Sequence, residues 1–359
     1  MVFVCGPRQV GKTTFALTFL SNPSETHPAY LNWDDVLTRA SLLKGELPSN
    51  EKVIVLDEIH KFARWRNLVK GFYDTNRSTI SFLITGSARL DYYRKGGDSL
   101  HGRYHNYRLH PFSLMELAAN PTKQDLEALL KFGGFPEPCL KSEERFWRRW
   151  HRQRLQRVIY EDIRDLEHVK DISLLELLAE ELPNRVSAPL SVKKLRELLE
   201  VAHETVERWL GIFERMYYCF RIPPYGPPRI RAVKKEQKLY LWDWSAVPDS
   251  GPRFENLVAA QLLKYCHWVE DVEGFRMDLR FLRDTDKREV DFVVLKDGRP
   301  SFAVECKTGE KSVNPSMFYF MERTDIPTFY QVHLGERDYI KDGIRVLPFR
   351  TFCKELQLP

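Results

Sequence analysis

The amino terminus holds the feature that most restricts the fold. Val2-Phe3-Val4-Cys5 is an apolar, β-rich run that passes directly into Gly6-Pro7-Arg8-Gln9-Val10-Gly11-Lys12-Thr13, and the apolar stretch Phe15–Leu20 follows. A strand, a short glycine-bounded loop and a helix in immediate succession leave the helix one place to pack, the face of the strand's own sheet. That arrangement imposes a parallel β/α layer. The loop matches GxxxxGK[ST] in full, in the strand-to-helix context that gives the motif its meaning. Gly6 and Gly11 permit backbone conformations that a Cβ would forbid, so the N–H groups from Pro7's successor Arg8 through Gln9, Val10, Gly11, Lys12, Thr13 and Thr14 can line a phosphate cradle. The helix that follows turns its positive end to the same place. Lys12 would neutralise the β- and γ-phosphates, and the Thr13 hydroxyl is placed to ligate Mg²⁺. The sequence therefore predicts a nucleotide site for ATP with Mg²⁺.

A second element supports the first. Val53-Ile54-Val55-Leu56-Asp57-Glu58 is an apolar run ending in two carboxylates. Such a run suits a central strand of a parallel sheet, covered on both faces. Asp57 at its tip would hold the metal through water, and Glu58 would orient or deprotonate an attacking water. Phe82-Leu83-Ile84-Thr85-Gly86-Ser87 is a further strand with a polar end, which makes Thr85 a candidate γ-phosphate sensor with Ser87 as the alternative. A helix-capping hydroxyl fits the same residues equally well.

At 359 residues, with 43% hydrophobic and 29% charged residues, the chain is long enough for two or three domains with cores of their own. The net charge of +5 is mild, so basic residues matter only where they cluster. Six scattered cysteines without a CxxC pair argue against a disulfide framework or structural zinc and fit a reducing cytoplasm. No apolar run approaches the roughly 18 residues of a membrane span, and the first residues lack the charged start of a signal peptide. Strand candidates Val2–Cys5, Ala29–Asn32, Val53–Leu56, Phe82–Thr85 and Tyr104–Leu109 alternate with helical stretches in a domain spanning residues 1–115. A helical region covers 116–186, broken at Gly133-Gly134 and Pro183. Residues 187–248 and a strand-rich module, 249–359, complete the chain.

The stretches GPRQVGKTT, VIVLDEIHK, LITGSARL, HGRYHNYRLHPFS and GGFPEP resemble a family of bacterial and archaeal ATPases. In that family an AAA+-type P-loop domain is joined to a C-terminal module called DUF4143, and the likeness extends over the whole chain. Its later motifs recur as Arg253-Phe254-Glu255-Asn256 and Arg288-Glu289-Val290-Asp291-Phe292. The resemblance implies ATP hydrolysis and makes Arg103, after Gly102, the arginine-finger candidate, supplied from a neighbouring subunit of a homo-oligomer. Related chains carry a few dozen residues before the first strand. This sequence has almost none, so adenine selectivity and the true start are left open.

Residues 190–216 read as two helices joined by a short turn. Leu195, Leu198 and Leu199 stripe the first, and Val206, Trp209, Leu210, Phe213 and Met216 stripe the second. Strand candidates Tyr217–Ile222 and Lys238–Trp242 complete the outline of a winged helix. Arg221, Arg229, Arg231, Lys234, Lys235 and Lys238 then read as a basic wing for a sugar-phosphate backbone. Upstream, Arg145, Arg148, Arg149 and Arg152 recur at helical spacing and line one face, with Trp147 and Trp150 turned elsewhere. A solvated surface explains both clusters equally well; double-stranded DNA is the partner they would suit. On the second helix, Glu204, Glu207 and Glu214 stand against Arg208 and Arg215, which opposes base reading.

In the last module, Asp291 on one strand and Glu305-Cys306-Lys307 on the next have the order of the PD-(D/E)XK nuclease pattern. Strand alternation puts Glu305 and Lys307 on one face. Glu255, on the apolar helix Phe254–Leu263, supplies the further carboxylate. The expectation is a nuclease-like α/β fold in which Glu255, Asp291 and Glu305 hold a second divalent metal beside Lys307. Two function classes follow: an ATP-driven enzyme acting on DNA, or a nucleotide-dependent switch whose C-terminal module is an inert scaffold.

Overall fold

A computed structural model of the chain describes residues 1–86, 100, 102–163, 171–227, 230 and 236–359, with the backbone alone at 161–163. The chain divides into two compact units, 1–110 and 111–359.

The first unit is a five-stranded sheet of β1 (Val2–Cys5), β2 (Tyr30–Asn32), β3 (Val53–Asp57), β4 (Ser81–Thr85) and β5 (His105–Arg108), in the order β2-β3-β4-β1-β5. Every pairing is parallel. Helices α1 (Lys12–Leu17), α2 (Val36–Lys44) and α3 (Trp65–Asn76) cover it. Strand alternation explains why the apolar runs are continuous. Phe3, Cys5, Ile54, Leu56, Phe82 and Ile84 face one core with Leu42, Trp65, Val69 and Phe72. Val4, Val55 and Leu83, the residues between them, face another with Ala16, Leu17 and Leu20. The helix expected at Phe15–Leu20 starts earlier, at Lys12, because left-handed Gly11 is its N-cap. It stops at Thr18, whose hydroxyl donates to Phe15 O at 2.6 Å. A side-chain bond to the backbone of this kind competes with helix continuation.

The second unit opens with α4 (Leu114–Leu117), α5 (Lys123–Phe132), α6 (Pro136–Lys141) and α7 (Glu144–Arg157), followed by α8 (Ile172–Glu181). Next come α9 (Val192–Leu199), α10 (His203–Arg215) and the antiparallel hairpin β6 (Cys219–Ile222)–β7 (Lys238–Leu241). The long α11 (Ser250–Trp268) precedes a mixed sheet of β8 (Met277–Arg283), β9 (Glu289–Lys296), β10 (Arg299–Lys307), β11 (Phe329–His333), β12 (Tyr339–Lys341) and β13 (Ile344–Pro348). Its order is β12-β13-β11-β10-β9-β8, and α12 (Pro315–Met321) and α13 (Phe349–Glu355) pack with it. Met317 and Phe320 of α12 share a core with Val290, Val293, Ala303, Phe329 and Ile344.

The glycine pair that interrupts the helical region is a close-packing site. A Cβ on Gly134 would lie 2.6 Å from the Trp244 ring and 2.7 Å from Phe112 O, while Trp244 Nε1 donates to Leu129 O at 2.8 Å. The next residue, Phe135, is fully buried, with the Arg154 guanidinium 4.2 Å from its ring centroid.

The hairpin joins the rest of its unit through Asn256 of α11. Its side chain accepts from Leu241 N at 2.8 Å and donates to Leu241 O at 2.7 Å, and it has no solvent exposure. Asn256→Ala would strand both backbone groups in the interior, at a cost of about 2–4 kcal/mol. In calorimetry the transition of the C-terminal unit is expected to fall by about 5–12 °C. An unchanged midpoint would mean that Asn256 does not fix the hairpin.

Candidate nucleotide site

The loop after β1 has the backbone that a phosphate cradle requires. Gly6 lies at φ 149°, Gln9 at 63° and Gly11 at 95°. At Gly6 the need for glycine is absolute: a Cβ would sit 2.2 Å from Leu109 O, and Leu109 is fixed by its N–H bond to Cys5 O at 2.8 Å. Pro7 and Val10 are buried, Arg8, Gln9 and Thr13 half-buried, and Thr14 exposed. Lys12 is 8% exposed, and its ammonium donates to Gly6 O at 3.0 Å and Pro7 O at 2.7 Å. Burial pushes its pKa down to about 8, against the opposing pull of Glu58 and Asp57.

Asp57 is the centre of the site. Its Oδ2 accepts from Thr13 Oγ1 at 2.9 Å and from Tyr30 OH at 2.8 Å, and its Oδ1 accepts from Thr85 Oγ1 at 2.6 Å. The register makes this possible, because Asp57 pairs with Asn32 on one side and Thr85 on the other. Thr13 and Asp57 thus present a hydroxyl and a carboxylate side by side, a hard oxygen pair that suits Mg²⁺, whose shell water and phosphate oxygens would complete. Glu58 follows in the left-handed region at φ 56°, and its N–H donates to Thr85 O at 3.1 Å. That turn carries its carboxylate out of the strand direction, where Lys61 Nζ lies 3.3 Å and His60 Nε2 3.7 Å away. A strained backbone of this type, costing on the order of 1–3 kcal/mol, is concentrated at functional sites.

Gly6, Lys12, Thr13, Asp57, Glu58 and Thr85 therefore meet at the C-terminal ends of β1, β3 and β4. Thr85 is fully buried and its hydroxyl donates to Asp57, so it is engaged by that carboxylate. Ser87 lies outside the described residues. Tyr30 was not legible as part of the site. It is on the edge strand, and only the strand order brings it to Asp57. Burial and the neighbouring Asp57 carboxylate raise its pKa.

Arg103 is not brought to this cluster. It precedes β5, beside Met1, whose N-terminal amine donates to Arg103 O at 3.3 Å. It therefore lies at the opposite end of the sheet from Gly6, about 13 Å along the strands. Its Nε donates to Asp74 Oδ1 at 3.1 Å.

Where it is described, the basic wing is not a solvated one. Arg221 forms a bidentate pair with Glu214 at 2.9 Å and reaches Glu207 at 2.8 Å. Lys238 has no solvent exposure. Each strand residue of β7 is buried, so charge counted along the sequence misreads a strand covered on both faces. Arg229, Arg231, Lys234 and Lys235 lie outside the described residues. The other cluster fares differently: Arg145, Arg148, Arg149 and Arg152 are all exposed on α7. Trp150 is buried, and Trp147 Nε1 donates to Ser245 Oγ at 2.8 Å.

Glu255, Asp291, Glu305 and Lys307 are brought together around a buried lysine. Lys238 stands among the carboxylates, 3.1 Å from Glu255, 2.5 Å from Glu289 and 3.4 Å from Asp291. Tyr240 OH also donates to Glu255, at 2.7 Å, and Cys306 N–H to Asp291 at 2.9 Å. Glu305 Oε1 accepts from Lys307 at 2.6 Å and from Asn314 Nδ2 at 2.7 Å. Among the described residues no three His, Cys, Asp or Glu side chains are placed to hold a metal ion. Lys238, a residue the nuclease pattern never includes, thus stands among the carboxylates expected to hold a second metal.

Family models match the chain in three pieces: an AAA domain over residues 1–118, a domain of unknown function (DUF8612) over 123–248, and a domain of unknown function (DUF4143) over 250–352. Two uncharacterised proteins of Methanocaldococcus jannaschii are similar in sequence. MJ1544 is 24% identical over 82% of this chain and 72% of its own length. MJ1637 is 23% identical over 89% of this chain and 74% of its own length. Among solved structures, the Thermotoga maritima RuvB Holliday junction branch migration motor aligns at TM-score 0.29 and 17% identity, over 62% of this chain and 82% of that one. The Aeropyrum pernix Orc1 protein in complex with DNA aligns at 0.32 and 14%, over 73% and 87%. No helix of the described residues is long and apolar enough to cross a membrane. With its parallel sheet and glycine-bounded loop, the chain joins an AAA domain of P-loop type to a C-terminal DUF4143 domain.

Proposed function

We propose that the chain binds ATP with Mg²⁺ and hydrolyses it at the loop between β1 and α1. The observation that carries this reading is the bonding of Thr13 and Thr85 to the two oxygens of Asp57, next to the buried ammonium of Lys12. The N–H groups of residues 8–14 would bind the phosphates. Lys12 would exchange its bonds to the carbonyls of Gly6 and Pro7 for phosphate oxygens, and Thr13 and Asp57 would hold Mg²⁺. That ion, when bound, supplies charge neutralisation at the β- and γ-phosphates. Glu58, set apart by its left-handed turn, would accept a proton from the attacking water. Thr85 and Tyr30 act through Asp57 as positioning residues.

DNA is the partner that suits the arginine-lined face of α7. With Arg221 and Lys238 both taken up in internal ion pairs, this face is the basic surface that supports such a reading among the described residues. A second reading is a nucleotide-dependent switch acting through a homo-oligomer, with the C-terminal module as a scaffold. The Lys238 ion cluster favours it, because that cluster leaves no metal-ligand set for strand cleavage.

Phosphate release from Mg-ATP tests the first proposal. Lys12→Ala and Glu58→Gln should each lower turnover by about 10²-fold or more, and Glu58→Gln should still bind ATP in calorimetry. A wild-type chain that neither binds nor turns over ATP sinks the proposal. Duplex binding followed by fluorescence anisotropy tests the second. Replacing Arg145, Arg148, Arg149 and Arg152 with Ala should flatten the dependence of log affinity on log salt by about one per lost phosphate contact. An unchanged slope removes α7 from the interface. ATP turnover indifferent to DNA, with a size change on nucleotide addition, would select the switch.

A further inference from the structure

The DUF4143 module contains a buried charge cluster that its nuclease-like residue pattern does not explain. Four carboxylates gather there: Glu255 from α11, Glu289 and Asp291 from β9, and Glu305 from β10. Their convergence follows from the fold. Glu289 and Asp291 alternate on one face of β9, Glu305 and Lys307 on one face of β10, and the antiparallel register Val304↔Phe292 sets Asp291 beside Glu305. Carboxylates set this closely, two of them buried (Asp291 and Glu305) and two half-buried, repel unless a cation stands among them. In metal-dependent enzymes a divalent ion supplies that charge.

We propose that the Lys238 ammonium is the resident cation of this cluster, held in the place of a divalent metal, so that the seated hairpin keeps the module from binding one. Three observations carry the inference. Lys238 Nζ lies within 3.4 Å of three carboxylates on two different elements. Its side chain has no solvent exposure. It arrives from outside the module's sheet, on β7, beside Tyr240, which bonds to Glu255 from the same strand face. Arg283, 2.5 Å from Glu289, and Lys307, 2.6 Å from Glu305, supply the remaining positive charge. Burial on its own would lower the Lys238 pKa, but Glu255, Asp291 and Glu289 reverse this and hold it charged. Glu305 Oε2 is buried and has no hydrogen-bond partner.

The arrangement differs from an enzyme's metal site in one testable respect. A tethered ammonium neutralises the carboxylates in every molecule, whatever the metal concentration, and it cannot exchange. Removing it should convert a closed cluster into an open one. The acidic groups would then gain a divalent ion that the wild type refuses.

The test uses the full, nucleotide-free chain, with Mn²⁺ as the probe, read by calorimetric unfolding and by the loss of the free-ion paramagnetic resonance signal. Wild type should show no Mn²⁺-dependent shift. Lys238→Ala should unfold at a lower temperature and recover when Mn²⁺ is added, and Lys238→Ala with Asp291→Asn should lose that recovery. Lys238→Met, which fills the space, should unfold early without recovery. The proposal is overturned if wild type takes up Mn²⁺ in a manner abolished by Asp291→Asn. It is equally overturned if folded Lys238→Ala melts like wild type and ignores Mn²⁺. Should Lys238→Ala fail to fold, the wild-type titration beside Asp291→Asn still decides, because the proposal requires both to be indifferent to the metal.

Discussion

The backbone register of β1, β3 and β4 is the constraint on which the N-terminal unit depends. Val4 pairs with Thr85, and Thr85 with Asp57. These ladders bring three strand ends to one level, so that a loop, a carboxylate and a hydroxyl that lie far apart in sequence come within hydrogen-bonding distance. A slip of one residue would send Asp57 to the opposite face and break the bonds to Thr13 and Thr85 together. Register is protected by what lies beneath the site. Alternate residues of each strand belong to two different cores, and a slip would exchange their contents.

The C-terminal unit meets a different problem, the burial of charge. Replacing an ion cluster with apolar residues is often neutral or stabilising, so such clusters are poor evidence for stability as such. What a cluster does provide is mutual dependence of its parts. Lys238 without its carboxylates, or the carboxylates without Lys238, would leave buried charge uncompensated. The hairpin and the mixed sheet are thereby obliged to stay together. Asn256 reinforces the union by bonding both backbone groups of Leu241. Consecutive residues of the Arg253–Asn256 motif are spent on one joint: Phe254 fills the core, Glu255 takes Lys238 and Tyr240, and Asn256 holds β7.

How much of this was legible in the sequence differed sharply between the two units. In the first, local pattern and function coincide. A glycine-bounded loop between a strand and a helix has one backbone solution, and continuous apolar runs ending in Asp57 and Thr85 announce central strands. Each strand expected there was found to within about two residues, which is the usual uncertainty of boundaries. Tyr30 escaped because its role depends on strand order, which periodicity does not encode. Arg103 was placed by likeness alone, and the direction of β5 puts it at the far end of the sheet. In the second unit the two helices of 190–216, the hairpin strands, the helix carrying Glu255 and the strands carrying Asp291 and Glu305 were again legible from their periods. There β8 and β11–β13 were not picked out, and the charges of the hairpin were misjudged. Arg221 and Lys238 look like a solvated wing when counted along the chain. Glu207 and Glu214 already hold Arg221, from the helix just before it. The partners of Lys238 come from α11 and β9, and no local pattern announces them.

The limit has a physical basis that reaches beyond this chain. A metal site and a salt-bridged cluster use the same carboxylates on the same strands, because both need anionic oxygens held close by a rigid sheet. A motif records those oxygens but not the cation between them. Asp291, Glu305 and Lys307 satisfy the nuclease pattern whether the charge that unites them is exchangeable or tethered. The deciding atom belongs to a residue many positions upstream, on a strand that the motif does not mention. Such a module can keep the fold and the acidic residues while exchanging the chemistry for cohesion. Its residue pattern then becomes evidence for how the sheet is held, with the location of the compensating positive charge deciding between the two.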